Sequence, residues 1–520
     1  MVVLEVEIAC PGYFALNSHP SLAFNGPVID LAVAELNAAL AGRIFFTVTY
    51  LVLNVPNCLR NEEESSPALA QWYYRDRNKS SLPIVLALGC IDTLAAEQLT
   101  SEWEILNIAS IGVRETGQKL PGPVPIGVGS IARPSLYAAF FSLLAMFQWT
   151  TIYIVIDTDS PPTYPTMAAS IIARNRELGQ LVTIVESIAW ERRPTTLNDT
   201  LQRFRSVSRV LLFCGQADRL RRLLIEAAKK NMTEGEFVYI AFEPFPSKSY
   251  GKMTWNYGDA ENEIAQHAFD SLLVIQQHQS ATSPSGSQHP PRSLDILFQR
   301  EARSKYNITY DLDDQPMPDM MATYITLSML AEVLNESLDS VSPSNFKADQ
   351  IRQVELARRF FNRTFVTETG PVYIDSRGKR RDSVAVCYFG RDSGMREAFL
   401  LLPVGTNERY LRYLNNTMRW PGGNWPPINE PLCGYRHERP SCSLSTRGIP
   451  LPEIVTLLAA VLASSGAILY YYWRTKRKRE EDADAWWLVE LTSFRLIYRI
   501  LDCALVDPDS SCEFEELPYE

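Results

Sequence analysis

Five histidines, nine cysteines and one glycine-rich stretch are the residues of this 520-residue chain whose types could do chemistry. His19, His267, His278, His289 and His437 form no HExxH pattern and no pair at helical spacing. They build no metal-hydrolase site, and each reads as a solvated or capping residue. PGPVPIGVGS, Pro121 to Ser130, spaces its glycines like a phosphate loop, but no Lys follows to reach a phosphate. Ser135 and Ser142 lack the G-x-S-x-G elbow that exposes a hydrolase nucleophile. The 47 residues after Trp473 carry no Gly-rich phosphate loop and no HRD or DFG. Catalysis is therefore not expected of this chain, and its residues call for no cofactor or metal.

The remaining signals are topological and covalent. Ile454 to Trp473 is a run of twenty residues without a charge, long enough as a helix for the ~30 Å hydrocarbon core of a bilayer. It ends in Tyr-Tyr-Tyr-Trp and is followed at once by RTKRKR, Arg474 to Arg479. An aromatic belt beside a basic cluster is the pattern of a membrane exit on the cytoplasmic side, so a single-pass type I span at 454–473 is expected, with 474–520 as the tail. Seven N-x-S/T sequons, Asn78, Asn198, Asn231, Asn307, Asn335, Asn362 and Asn415, all precede it and are candidate glycosylation sites. Cys503 and Cys512 fall inside and are expected to be reduced. Outside, Cys214 and Cys387 sit in apolar strand-like runs and read as buried thiols. Cys433 and Cys442 close the short Pro-flanked loop CGYRHERPSC in a stalk at 433–453, where a staple would help in place of a core. MVVLEVEIACPGYF lacks a basic n-region and reads as a strand, so a signal peptide is either already removed or lost with a first exon.

The elements that must carry these residues follow from pattern. Hydrophobic residues make up 46% and charged residues 21% of the chain, an ordinary globular composition. A net charge of −10 excludes a general nucleic-acid binder that needs a basic face. VVLEVEI, RIFFTVTYLVL, LPIVLAL and ILNIAS alternate with helical stretches, and TIYIVID, LVTIVES, RVLLFC and FVYIAF open a second such series. Two βαβα series predict an α/β fold of two lobes, each a doubly wound sheet covered on both faces. Long helical runs are expected at DAENEIAQHAFDSLLVIQQ, SLDILFQREARSKY and MMATYITLSMLAEVLNESL. Trp72, Tyr73 and Tyr74 read as packing residues, a dimer contact or the rim of a cleft.

FQWTTIYIVIDTDS, FNGPVIDLAVAELNAAL and the ribbon from Phe360 to Phe389 resemble the type I periplasmic-binding-protein fold of receptor ligand-binding regions. With NEEESSPALA after Cys58, LALGC at Cys90 and WPPINEPLCGYRHERPSC at the stalk, residues 1 to 480 are similar to the membrane receptor guanylate cyclases, including the natriuretic-peptide receptors. The resemblance implies an ectodomain at 1–432, with one lobe at about 1–131 and 258–340 and the other at about 132–257 and 341–432. It implies Cys58–Cys90 and Cys433–Cys442 disulfides, and a chloride ion at Gly89 and Cys90. It further implies a plasma-membrane location, an unidentified extracellular ligand, and a homodimer or a heterodimer with a full-length receptor cyclase. The kinase-like and cyclase domains of that family are absent from the 520 residues. Three readings stay open: a naturally short decoy or clearance receptor, the front of a full cyclase from an incomplete gene model, and a co-receptor or structural surface protein without a soluble ligand.

Overall fold

The computed structural model describes residues 3–16, 18–55, 58–88, 94–111, 122–190, 194–278, 292–310, 315–339, 351–390, 392, 394–402, 411–414, 418–435, 439 and 451–481. Contacts divide the chain into two units, Met1–Arg436 and His437–Glu520.

In the first unit, runs of apolar residues form strands because their side chains are buried on both faces. The first lobe opens β1 (Leu4–Gly12), α1 (Leu22–Ala39), β2 (Ile44–Val52), α2 (Cys58–Gln71), β3 (Leu82–Ala87), α3 (Leu94–Glu102), β4 (Leu106–Ala109) and β5 (Ile126–Gly127). These strands pair in parallel in the order β2-β1-β3-β4-β5. One face packs on α1, and the other on Leu69 and Ala96 of α2 and α3 and on Trp72.

The chain then builds the second lobe: α4 (Arg133–Met146), β6 (Thr151–Asp157), α5 (Thr163–Glu177), β7 (Thr183–Trp190), α6 (Pro194–Val207), β8 (Val210–Cys214), α7 (Ala217–Ala228), β9 (Val238–Glu243), α8 (Asn262–Phe269) and β10 (Leu272–Gln277). It returns to the first lobe with α9 (Arg292–Tyr306), α10 (Met317–Asp339), α11 (Gln353–Arg358) and the ribbon β11 (Arg363–Thr367), β12 (Gly370–Ile374) and β13 (Arg380–Arg381). Leu294, Phe298, Met320, Phe360 and Phe365 of this return join the same core as Val6, Ile8 and Val28. A last crossing adds β14 (Val384–Phe389), β15 (Met395–Leu401) and β16 (Arg412–Tyr413) to the second sheet, whose order is β16-β15-β14-β10-β9-β8-β6-β7. Helices α4 and α5 cover one face of that sheet and α6, α7 and α8 the other, so its central strands are apolar throughout.

Three points differ from the sequence expectation. The second lobe does not end near 257. DAENEIAQHAFDSLLVIQQ breaks after Phe269, and Leu272–Gln277 is a strand because it pairs in parallel with β9 and antiparallel with β14. The lobes therefore exchange chain beyond β10 and again between β13 and β14, rather than near 258 and 340. Helix α6 also stands between the strands read at LVTIVES and RVLLFC, presenting Leu197, Leu201 and Phe204 to the core.

In the second unit, helix α12 (Leu451–Glu481) carries the uncharged run. Among the described residues no helix is long and apolar enough to cross a membrane, so the span expected at Ile454–Trp473 is not found there.

Candidate functional site

Open α/β sheets bind ligands beyond the carboxyl ends of their parallel strands. In this chain those ends hold buried polar residues, Asp157 on β6 and Glu243 on β9. In the first lobe, β1 runs into a turn that is tied down before α1 starts. Ser21 caps the helix by accepting from the Ala23 N–H at 2.9 Å, and its Oγ also accepts from the Ala15 N–H at 2.9 Å. Asn25 Nδ2 donates to the His19 carbonyl at 2.9 Å. The loop therefore delivers the His19 ring to one fixed place.

The wall opposite comes from the second lobe, just past β9. Phe245 is followed by the tight turn Lys248–Tyr250, which ends at Gly251 with φ +79. A Cβ at Gly251 would lie 2.6 Å from Asp218 Oδ1, so only glycine fits this return. Gln216 Nε2 donates to the Ser249 carbonyl at 2.7 Å. Tyr250 is held edge-on by Phe245 and Tyr164, with its hydroxyl 3.2 Å from Thr163 Oγ1. His19 enters this notch. Its Nε2 is 2.9 Å from Ser249 Oγ, its ring stacks on Phe245 at 5.7 Å between centroids, and Tyr250 meets it edge-on at 5.5 Å.

Behind the ring stands Asp319, in the first turn of α10, with its Oδ2 3.6 Å from His19 Nδ1. Ser130, in the first crossover, donates to the Asp319 carboxylate. Burial pushes the Asp319 carboxyl up to about 6, against the opposing Ser130 hydrogen bond and Arg133 charge. Burial lowers His19 to about 4, so the imidazole is neutral at pH 7. Deeper in the second lobe, Asp157 at the end of β6 pairs with Arg219 and accepts from Ser160, a buried charge with its counter-charge in place. Gly215 leaves room for it, since a Cβ there would lie 2.5 Å from Asp157 Cβ. Glu243, at the end of β9, is pushed up to about 7 by burial, and its Oε2 has no partner among the described residues. The crossovers are tied to one another as well. Gln277 Nε2 donates to the Ser130 carbonyl and to Asp382 Oδ2, and the Asp382 N–H donates to Ser135 Oγ.

The residues singled out in the sequence distribute as follows. Cys10, Cys214 and Cys387 are buried free thiols, with Cys214 and Cys387 raised to about 12 by burial and so inert at neutral pH. Cys433 is disulfide-bonded. Cys442, Gly89, Cys90 and the side chain of Cys58 lie outside the described residues, as does Asn415. Asn78, Asn231, Asn307 and Asn362 are exposed, whereas Asn198 and Asn335 are half-buried. Trp72 is a packing residue, fully buried with its indole N–H on Glu7 Oε1 at 2.8 Å. Tyr73 stacks on Trp103 and Tyr74 is exposed. Two histidines correct the expectation of solvated roles: His278 Nδ1 lies 2.8 Å from Glu397 Oε1, and His19 bridges the lobes. No local signal points to the His19 cluster, because its members come from positions 19, 130, 245 to 250 and 319.

Two sheets joined by three crossings, and bridged by His19 on Ser249, make a two-lobed region. The family described as "Receptor family ligand binding region" matches residues 129–388, and the chain belongs to it. It is similar to atrial natriuretic peptide receptor 2 of Homo sapiens, 24% identical over 82% of this chain and 39% of the relative. The Mus musculus receptor of the same name is 23% identical over the same shares. The receptor-type guanylate cyclase gcy-28 of Caenorhabditis elegans is 25% identical over 46% of this chain and 18% of the relative. The chain thus spans about two fifths of the length of the natriuretic peptide receptors it matches.

Proposed function

We propose that this chain is a single-pass cell-surface receptor of the guanylate-cyclase type, whose two-lobed region captures an extracellular ligand and whose 520 residues make no cyclic GMP. The observation that carries the reading is the sequence of parts: a receptor ligand-binding region, then a 31-residue helix whose side chains from Leu458 to Trp473 stand exposed, Leu462 and Ile468 at 70%. A helix apolar on all sides needs an apolar surrounding, and the basic cluster from Arg474 sets its cytoplasmic end. Glycosylation of the exposed sequons, a Cys433–Cys442 bridge and pairing with a second receptor chain belong to the same reading. A Cys58–Cys90 bridge and a chloride at Gly89 and Cys90 rest on the family resemblance alone.

A ligand that prefers one arrangement of the lobes shifts the population between arrangements, and the stalk carries that shift onward. Ligand clearance, or the holding of a full-length partner in a non-productive pair, is the output this reading assigns to the 520 residues. A second reading, the front part of a longer cyclase, is favoured by the two-fifths coverage of the relatives. Expression of the 520-residue chain in cells tests the proposal. Surface labelling with protease protection of only the span and tail, and cyclic GMP at the level of untransfected cells, are expected. Cyclic GMP synthesis by the purified chain, or an internal and protease-resistant first unit, would overturn it. An in-frame kinase-like and cyclase sequence downstream in the gene selects the second reading.

A further inference from the structure

We infer that His19 is the pin of a latch that holds the two lobes together across their crevice. The pin is fixed in the first lobe, where Ser21 and Asn25 lock the loop on either side of it. The notch is fixed in the second lobe, where Gln216 holds Ser249, and Thr163, Tyr164 and Phe245 hold Tyr250. Beyond Asp319 the ring meets that notch: Ser249 Oγ at 2.9 Å, Ser247 Oγ at 3.4 Å, the face of Phe245 and the edge of Tyr250. Opening the crevice at this edge therefore withdraws an imidazole from an aromatic and hydroxyl pocket that fits it.

The groups around the ring also fix its form. Asp319 faces Nδ1 at 3.6 Å, an arrangement that favours the tautomer with its proton on Nδ1 and Nε2 accepting from the Ser249 hydroxyl. Arg133 acts on Asp319 and Tyr250 rather than on the ring. The covalent crossovers permit the lobes to hinge, while His19 adds a reversible side-chain contact that has to be broken first. A small molecule entering the crevice here, or a partner that parts the lobes, competes with the protein's own imidazole.

Hydrogen exchange by mass spectrometry on the full chain in mild detergent tests the latch. His19→Gly empties the notch, and exchange at the turn amides of residues 249 to 251 is expected to rise about tenfold as that edge opens more often. Millimolar imidazole, which fits the vacated pocket, should return exchange toward the original rate. A folded His19→Gly protein with unchanged exchange in that turn, or with a rise that imidazole leaves untouched, would overturn the latch. Should His19→Gly fail to fold, Ser249→Ala decides. It removes only the hydroxyl, and exchange across residues 18 to 22 should rise about threefold; no change there discards the inference.

Discussion

Asp319 places an ionisable carboxyl where water cannot reach it, and the consequence for stability has a definite pH window. Its folded value of about 6 lies above the ordinary 3.8. The protonated form is therefore the one folding favours; that contribution is complete below 3.8 and is lost as pH rises through 6. His19 acts in the opposite sense. Lowered from 6.5 to about 4, it favours folding in its neutral form above 6.5 and loses that contribution as pH falls toward 4. Asp319→Asn keeps an acceptor for Ser130 and removes the ionisation. The variant should be more stable than the parent at pH 7.5 by on the order of 3 kcal/mol, with the difference vanishing near pH 4. Chemical denaturation at the two pH values measures this, and a gain of equal size at both would rule out ionisation as its source.

Sequons on elements obey accessibility rather than motif. Asn78, Asn231, Asn307 and Asn362 lie exposed in loops or at element ends, the last three with φ between 51 and 55, where the chain turns outward. Asn335 lies within α10, with its Oδ1 buried and unpartnered among the described residues. Glycopeptide mapping of material from a secretory host should find the four exposed sites occupied and Asn335 bare; glycan at Asn335 would mean that α10 forms after the transferase has acted. Elements with strong pattern were legible in the sequence, as β1, β3, β6, β8 and β9 are. Helix α6 is legible as well, since Pro194 opens it and Leu197, Leu201 and Phe204 recur at helical spacing. β10 was not, because nothing in SLLVIQQ breaks the helical run before it; only its pairing with β9 and β14 makes it a strand. The His19 notch was out of reach for the same reason on a larger scale, since long-range packing assembles it from unrelated positions.

Taken whole, the molecule passes its chain between two sheets three times, and this has a consequence for its birth on the ribosome. The core of the first lobe contains Leu4 and Val6 of β1, but also Phe360, Phe365 and Ile374. The second sheet stays open at β10 until β14 arrives at Val384–Phe389. Neither lobe closes until most of the first unit has been made. At ~5–20 residues per second, the interval from β1 to Ile374 is roughly 20 to 70 s, during which apolar strands wait without their partners. A chain stopped after Gln277 should therefore aggregate or remain bound to chaperones, whereas one carried through Arg436 should release as a folded unit; pulse labelling with protease challenge of stalled chains separates the two. A folded, protease-resistant 277-residue product would show that a lobe can finish early. The interlaced chain thus makes synthesis itself a vulnerable interval: premature termination between β6 and β11 leaves two unfinished lobes, not one sound lobe and one missing one.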